Sequence, residues 1–202
     1  MTAILKVDTI QDTAGNNIIN ESSNTITIGA SGDTTNIIGT LQNNGAALSS
    51  GITEADMFRL TSAITANADP ISSNLERCDN ATFAKIGTGM SLSSGVFSFA
   101  ATGLYSVEVH MQGQPTTNDN VTLAIYGTAN NGTAWDPLAA ATFGADTNAV
   151  ASASQNCFFN CTNVSTHKIK FAAESITNGS SIGGRTTDNV TAFQFIRLGD
   201  SQ

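Results

Sequence analysis

The residues that could hold a metal ion are few and widely spaced in this sequence. His110 and His167 are the two histidines, and the three cysteines are Cys78, Cys157 and Cys161. A zinc site needs ligands that usually come in closely spaced pairs, and two cysteines four residues apart with one imidazole lack that pattern. On one face of a strand, Cys157 and Cys161 would lie about 13 Å apart, too far for a disulfide. We therefore predict buried free thiols, with no metal site and no cofactor.

No motif of a known catalytic class is present. The sequence has no nucleophile elbow and no HExxH, and Gly87-Thr88-Gly89 lacks the further glycine and the helix of a dinucleotide loop. Asp119, Asp136 and Asp146 fall in predicted loops, but none belongs to a dense acidic loop of the kind that binds calcium. The carboxylate pair of a polysaccharide-cleaving enzyme cannot be placed from sequence, so that class stays an alternative. We predict a protein that is not an enzyme.

Two aromatic residues are candidates for contact with a glycan. Trp135 lies in a predicted exposed loop, and Tyr126 ends a predicted strand. An exposed tryptophan can stack on a sugar ring or anchor a protein contact. The alternative for Trp135 is a side chain that folds back over the edge of the domain.

Composition favours β-structure and excludes several partners. The chain has 202 residues, of which 40% are hydrophobic and only 12% charged, and its Thr, Asn and Gly content is typical of strands and tight turns. Its net charge of −8 argues against nucleic acid and anionic membranes, which need clustered Lys and Arg. No apolar run approaches the roughly 18 residues of a membrane helix, and the N-terminus does not resemble a signal peptide. We expect no membrane insertion and assembly in a cytosol.

The strongest element is the stretch Gly95–Met111. Phe97 and Phe99 alternate with small residues, and after a break at 100–103 the residues Tyr105 to Met111 alternate between apolar and polar. Because strand side chains alternate between faces, the stretch predicts a hairpin with one buried wall. Ser106, Glu108 and His110 take its polar face.

Further short strands follow at intervals typical of a sandwich or jelly roll. We predict a first strand within 52–60 and others at 75–77, 83–86, 90–92, 121–126, 139–143, 151–160, 168–173 and 192–198. Residues 1–50 differ, because their short apolar runs are separated by turn clusters and cannot close a core of their own. The sequence thus predicts a docking arm or intertwined β-stem over residues 1–50 and a head domain over 51–202. The alternative is that residues 1–50 form a flexible tail.

The head resembles a known superfamily. Phe97-x-Phe99, then Thr102-Gly103-Leu104-Tyr105-Ser106-Val107, and the closing Phe193-x-Phe195-Ile196-Arg197-Leu198 are similar to the trimeric jelly roll of the complement-q and tumour-necrosis-factor superfamily. That resemblance implies a homotrimer with the closing strand at its axis. The implied trimer interface consists of Tyr105, Val107, Phe193, Phe195, Ile196 and Leu198.

The N-terminal segment resembles a second group. Residues 4–20 and 25–33 are similar to the N-terminal segments of small structural proteins of tailed bacteriophages, in which a short β-rich arm precedes a trimeric head. The resemblance implies a non-enzymatic appendage on the virion surface that contacts other virion proteins. The implied docking residues are Ile4, Leu5, Val7, Ile10, Ile18, Ile19, Ile26 and Ile28.

Several functions remain open at this stage. Within a virion, the chain could be a capsid decoration, cement protein or head fibre, which its brevity favours. A tail fibre that recognises a host surface glycan is the alternative. A polysaccharide-degrading spike and a cellular binding module are the other hypotheses.

Overall fold

The computed structural model describes residues 9–11, 13–15, 17–22, 25–28, 32–38, 42–43, 46–47, 51–116, 118–145 and 148–202. The chain divides into two compact units, Met1–Ser50 and Gly51–Gln202. All regular elements within these ranges are β-strands. Within the same ranges, no helix is long and apolar enough to cross a membrane.

The described residues of the first unit form five short strands. Three of them form an antiparallel sheet in the order β1-β2-β3, and the other two pair with each other. Their bounds are β1 Thr9–Gln11, β2 Asn17–Ser22, β3 Thr25–Ile28, β4 Gln42–Asn43 and β5 Ala46–Ala47. The predicted docking residues Ile4, Leu5 and Val7 lie outside the described residues.

The second unit is a sandwich of two antiparallel sheets. Its strands are β6 Ala55–Leu60, β7 Leu75–Arg77, β8 Ser91–Ser93, β9 Val96–Ser98, β10 Gly103–Gln114, β11 Asp119–Thr128, β12 Asp136–Ala145, β13 Ala151–Cys161, β14 Lys168–Glu174, β15 Ser181–Ile182 and β16 Ala192–Gly199. Sheet 1 has the order β13-β10-β16-β6-β7, with β15 paired to β10, and sheet 2 has the order β12-β11-β14-β9-β8. The predicted all-β jelly roll is confirmed.

The predicted hairpin at Gly95–Met111 is wrong. Both strands exist, but β9 pairs with β8 and β14 in sheet 2, whereas β10 pairs with β13 and β16 in sheet 1. The break at 100–103 therefore carries the chain from one sheet to the other. Alternation of apolar residues specifies which face of a strand is buried, but it does not specify the neighbouring strand.

Aromatic side chains join the two sheets across this crossing. The Phe97 ring, from sheet 2, lies 5.0 Å from the ring of Phe58 and 5.1 Å from that of Phe195, both in sheet 1. Phe171 of sheet 2 packs against Phe193 of sheet 1 at 4.4 Å. These contacts place the inward residues of β9, β14 and β16 in one continuous core.

Most predicted strands of the second unit are present, and residues 83–86 are an exception. That segment is part of a loop, in which Ile86 makes an isolated bridge to Ala55. Three of its four residues are exposed, so it has no buried face to hold it in a sheet. The short strand β15 was not predicted.

Candidate functional site

Four of the six residues predicted for a trimer interface lie inside the protomer. Tyr105, Val107, Phe193 and Phe195 are buried in the core between the two sheets. Their side chains therefore offer no surface to another subunit, and this part of the prediction is corrected. They point inward because odd-numbered residues of β10 and β16 face sheet 2.

The other two predicted interface residues stay accessible. Ile196 is half-buried on the outer face of sheet 1, and Leu198 is 52% exposed. The β10 residues Ser106, Glu108 and His110 are half-buried on the same outer face. The predicted polar face of Gly95–Met111 is thus the outer surface of sheet 1.

A row of neutral side chains crosses this outer face. Phe158 lies opposite Ser106, Ser106 opposite Ile196, and Ile196 opposite Ala55, which in turn bridges to Ile86. Residues directly opposite each other on antiparallel strands share one face of the sheet. Phe158 is 71% exposed, which makes it the most exposed aromatic side chain in the described part of the second unit. We call these five residues the outer row.

One end of the outer row opens into a groove. The groove has a volume of about 160 Å³ and lies between sheet 1 and the loop that contains Ile86. It is lined by Ala55, Asp56, Met57, Phe83, Ala84, Ile86, Gln194 and Ile196. Its lining is therefore mostly apolar.

Two carboxylates hold the loop beside the groove in place. The Glu54 carboxylate accepts hydrogen bonds from the backbone N–H groups of Thr88 and Gly89 at 3.1 and 2.7 Å. The buried Asp56 carboxylate accepts one from Met90 N–H at 2.8 Å and pairs with the Arg77 guanidinium at 3.0 Å. The glycine-rich stretch at 87–89 thus binds carboxylates of its own chain. A groove wall fixed this way exists before any partner binds.

A second charge cluster, centred on the buried Arg59, lies on the outer side of β6. The guanidinium of Arg59 donates to Glu76 at 2.7 Å and to Asn80 at 2.6 Å, and it also pairs with Asp79. Burial alone would lower the pKa of Arg59, but the bonds and charges of Glu76 and Asp79 outweigh burial and raise it. The cluster therefore ties the loop at 79–80 to sheet 1.

The two candidate glycan residues share one cation. The Lys170 ammonium lies 5.0 Å from the ring centres of both Tyr126 and Trp135, and it pairs with Asp69 at 2.5 Å. Trp135 is half-buried, so the structure agrees with a side chain folded back over the domain. The Tyr126 hydroxyl donates to Glu174 at 2.7 Å, and this bond, helped by burial, raises the pKa of Tyr126 to about 12. Glycan contact by these residues remains a prediction.

The cysteines and histidines do not converge. All three cysteines are free, and among the described residues no group of three His, Cys, Asp or Glu side chains is placed to hold a metal ion. His110 bonds Ser154 at 2.9 Å, while His167 bonds the backbone oxygen of Asn163 at 3.1 Å.

The predicted loop aspartates have different surroundings. The Asp119 carboxylate accepts hydrogen bonds from Ser180 at 2.5 Å, from the backbone N–H of Asn120 at 2.8 Å and from Thr177 at 2.9 Å, and these bonds lower its pKa. Asp136 begins β12 and is exposed, and Asp146 lies outside the described residues.

In the first unit, isoleucines line up across the three-stranded sheet. Ile10 lies opposite Ile19, and Ile19 lies opposite Ile28. These three side chains are between 37% and 55% exposed, and Ile26, two residues before Ile28, is also exposed. For Ile18 the backbone belongs to β2, and its side chain lies outside the described set. We call Ile10, Ile19 and Ile28 the isoleucine row.

Comparisons with known proteins support the fold. No protein-family model and no curated protein matches the chain. Among solved structures, the Eiger TNF of S. frugiperda has a TM-score of 0.59 at 13% identity, covering 75% of this chain and 96% of its own. Murine APRIL at pH 5.0 has a TM-score of 0.55 at 9% identity, covering 72% and 98%. The jelly-roll fold of this chain is therefore similar to that of these two proteins, and at these identities the likeness concerns the fold alone.

Sequence reasoning missed Phe158 and the groove. Phe158 and Phe159 are consecutive in a strand, so one of them had to face away from the core, which was a usable signal. The groove residue Met57 is far in sequence from Phe83 and Ile86, and the loop that Glu54, Ala55 and Asp56 hold brings them together.

Proposed function

We propose that the protein is a non-enzymatic, homotrimeric appendage of a bacteriophage particle, and that it attaches to the particle surface through residues 1–50. On this proposal it is a capsid decoration, cement protein or head fibre made in the host cytoplasm. The jelly roll of the second unit supports a non-enzymatic trimeric protein. The resemblance of the N-terminal segment supports the virion role.

The isoleucine row is the observation that carries the docking part of this proposal. It forms an apolar line across a small sheet, and none of the side chains described in the first unit is buried. Three isoleucines that remain this exposed gain little from the hydrophobic effect within their own unit. Covering them with a virion protein or with the arms of two other subunits would supply that gain.

The charge arrangement of the second unit supports a structural role over an enzymatic one. Asp56, Glu76 and Glu54 are engaged by Arg77, Arg59 and backbone N–H groups. A glycosidase needs two carboxyl groups that face a common open cleft. The groove of about 160 Å³ is lined by a single carboxylate, that of Asp56.

The tail-fibre alternative depends on contact with a glycan. Trp135 and Tyr126 already contact Lys170 through their rings. A sugar that stacked on these rings would compete with an ion-paired ammonium. This arrangement favours decoration of the particle over recognition of a host glycan.

The first experiment is to measure the mass of the full chain by light scattering and to search for it in purified particles by mass spectrometry. We expect three times the 20.8 kDa of one chain, and we expect the protein in the particles. A monomeric mass would overturn the trimer, and absence from the particles would overturn the virion role.

A second experiment tests the docking arm. Particles that lack the protein are mixed with wild-type chain or with a variant in which Ile10, Ile19 and Ile28 are serine, and are then sedimented. We expect the wild type to bind the particles and the triple variant to stay in solution. Ile37→Ser with Ile38→Ser is the matched control, because both isoleucines are exposed and lie outside the strands. Equal binding of all three proteins would contradict docking through the isoleucine row.

A further inference from the structure

Phe158 is a large apolar side chain on an edge strand with polar neighbours. It points outward from β13, because Phe159 beside it faces the core and Asn156 and Asn160 flank it on the outer face. A single exposed apolar residue is common and needs no explanation by itself. The second feature is the preformed groove at the other end of the same outer row.

The groove matches the size of the Phe158 ring. Its volume is about 160 Å³, and an apolar protein cavity of roughly 150 Å³ takes up benzene. Its bottom is fixed by two backbone bonds between Ala55 and Ile86, at 3.1 and 2.9 Å. Its wall is fixed by the hydrogen bonds of Glu54 and Asp56 to the loop at 88–90.

Phe158 cannot fill the groove of its own chain. In sheet 1, β13 is separated from β6 by β10 and β16. Three strand spacings amount to about 14 Å, which is more than twice the length of a phenylalanine side chain. One chain therefore presents the ring and an open groove on the same face, which a second copy of the chain can complement.

The absence of ionisable side chains in the outer row favours contact between two copies of the chain at this place. The chain has a net charge of −8, so two copies repel each other over most of their surfaces. The outer row contains no ionisable side chain, and Glu108 lies in the next row of the sheet. Contact along the outer row therefore brings two copies together with little repulsion.

We propose that Phe158 of one subunit inserts into the groove of the next subunit, between Met57, Ile86 and Ile196. The contact is heterologous, because the ring and the groove are different surfaces, and such contacts form closed rings when the rotation between subunits closes. In a ring of three, each groove receives one phenylalanine. This inference rests on the homotrimer of the proposed function and specifies how its head domains meet.

The test combines weakening and cross-linking in the full chain. Phe158→Ser should raise the dissociation constant of the assembly by about 30-fold for each groove that no longer holds a phenylalanine, measured by sedimentation over a concentration series. Val150→Ser is the control, since Val150 is also exposed and precedes β13 outside the outer row. Because Phe158 and Val150 are both exposed, neither substitution should change the thermal midpoint of the unassembled protomer.

Cross-linking locates the contact directly. A chain with both Phe158→Cys and Ala84→Cys, the latter at the exposed rim of the groove, should form covalent trimers under mild oxidation. Each single variant should run as a monomer on a non-reducing gel and so controls for the native cysteines. If the wild type is a trimer but the double variant gives no linked chains and Phe158→Ser assembles normally, this inference is overturned and the proposed function stands. A monomeric wild type would instead overturn the proposed function itself.

Discussion

The Arg77 guanidinium donates to both oxygens of the Asp56 carboxylate, at 3.0 to 3.1 Å, and Asp56 is almost completely buried. The same carboxylate accepts backbone N–H groups of Met57 and Met90. This ion pair joins β6 to β7 and to the loop beside the groove. A buried charge with so many partners stabilises the fold only while all of them are present.

Removal of the Asp56 carboxylate is therefore expected to be costly. Asp56→Ala should lower the free energy of unfolding by about 3 kcal/mol, since Arg77 loses its carboxylate partner and keeps only the Met90 backbone oxygen, while the N–H groups of Met57 and Met90 lose the same acceptor. Denaturant titration measures this loss. Asp200→Ala is the matched control, because Asp200 pairs with Arg197 on the surface, and it should cost less than about 1 kcal/mol. An equal decrease in the free energy of unfolding of the two variants would contradict the structural role assigned to Asp56.

Asp119 should give the fold a dependence on acidic pH. Hydrogen bonds from Ser180, the Asn120 N–H group and Thr177 hold the pKa of this carboxyl below its usual range in the folded protein. The stabilisation is therefore present above the unfolded pKa of about 3.9 and is lost as the pH falls through the folded value. Asp119→Asn should lower the thermal midpoint at pH 7, and its difference from the wild type should shrink below pH ~3. A difference that is the same at both pH values, or one also seen in Asp136→Asn, would count against this role.

The native thiols should react slowly. Burial raises the pKa of Cys157 to about 11, and burial also raises the pKa of Cys78 and Cys161. At pH 8 about one Cys157 side chain in a thousand is then a thiolate, which is the reactive form. A thiol reagent at pH 8 should label the folded protein slowly and label all three cysteines after unfolding. Ser152→Cys, exposed on the same strand, should react fast; native thiols that react equally fast would contradict this prediction.

Lys170 should stabilise the fold through its two rings and Asp69. Lys170→Met removes the ammonium from Tyr126 and Trp135, and it should lower the free energy of unfolding by about 1–2 kcal/mol. Trp135 is the only tryptophan, so its fluorescence reports the local change. Lys168→Met is the control, since Lys168 on the same strand donates to the backbone oxygen of Val164. The prediction fails if both variants lose the same stability and leave the emission unchanged.

The buried faces of the strands could be predicted from sequence, but their partners could not. Alternation at Tyr105 to Met111 correctly indicated which side chains are buried, because each residue of a strand faces one of two sides. The same pattern wrongly joined β9 to β10 in a hairpin. Phe97 and Tyr105 do share a core, but they approach it from opposite sheets.

The candidate site was harder to predict because it depends on loops and on register. Tyr105, Val107, Phe193 and Phe195 were expected at a subunit interface, yet the core of the protomer buries them. Phe158 was missed because its neighbours on the outer face, Asn156 and Asn160, are polar and give no apolar alternation; the usable signal was only that Phe158 and Phe159 are consecutive. The groove depends on Glu54 and Asp56 holding a loop more than thirty residues away, which no local pattern encodes.

The position of β16 inside sheet 1 has a consequence for the synthesis of the chain. Sheet 1 places β16 between β6 and β10. Each of these two strands therefore lacks one of its neighbours until residues 192–199 have been made. At about 5–20 residues per second, the ribosome needs on the order of ten seconds to go from β6 to β16. During that time β6 and β10 each have an edge that is not paired in the sheet. Unpaired edges of this kind favour aggregation. Sheet 1 can therefore be completed only after β16 has been made, and slower translation lengthens the interval in which the unpaired strands need protection from aggregation.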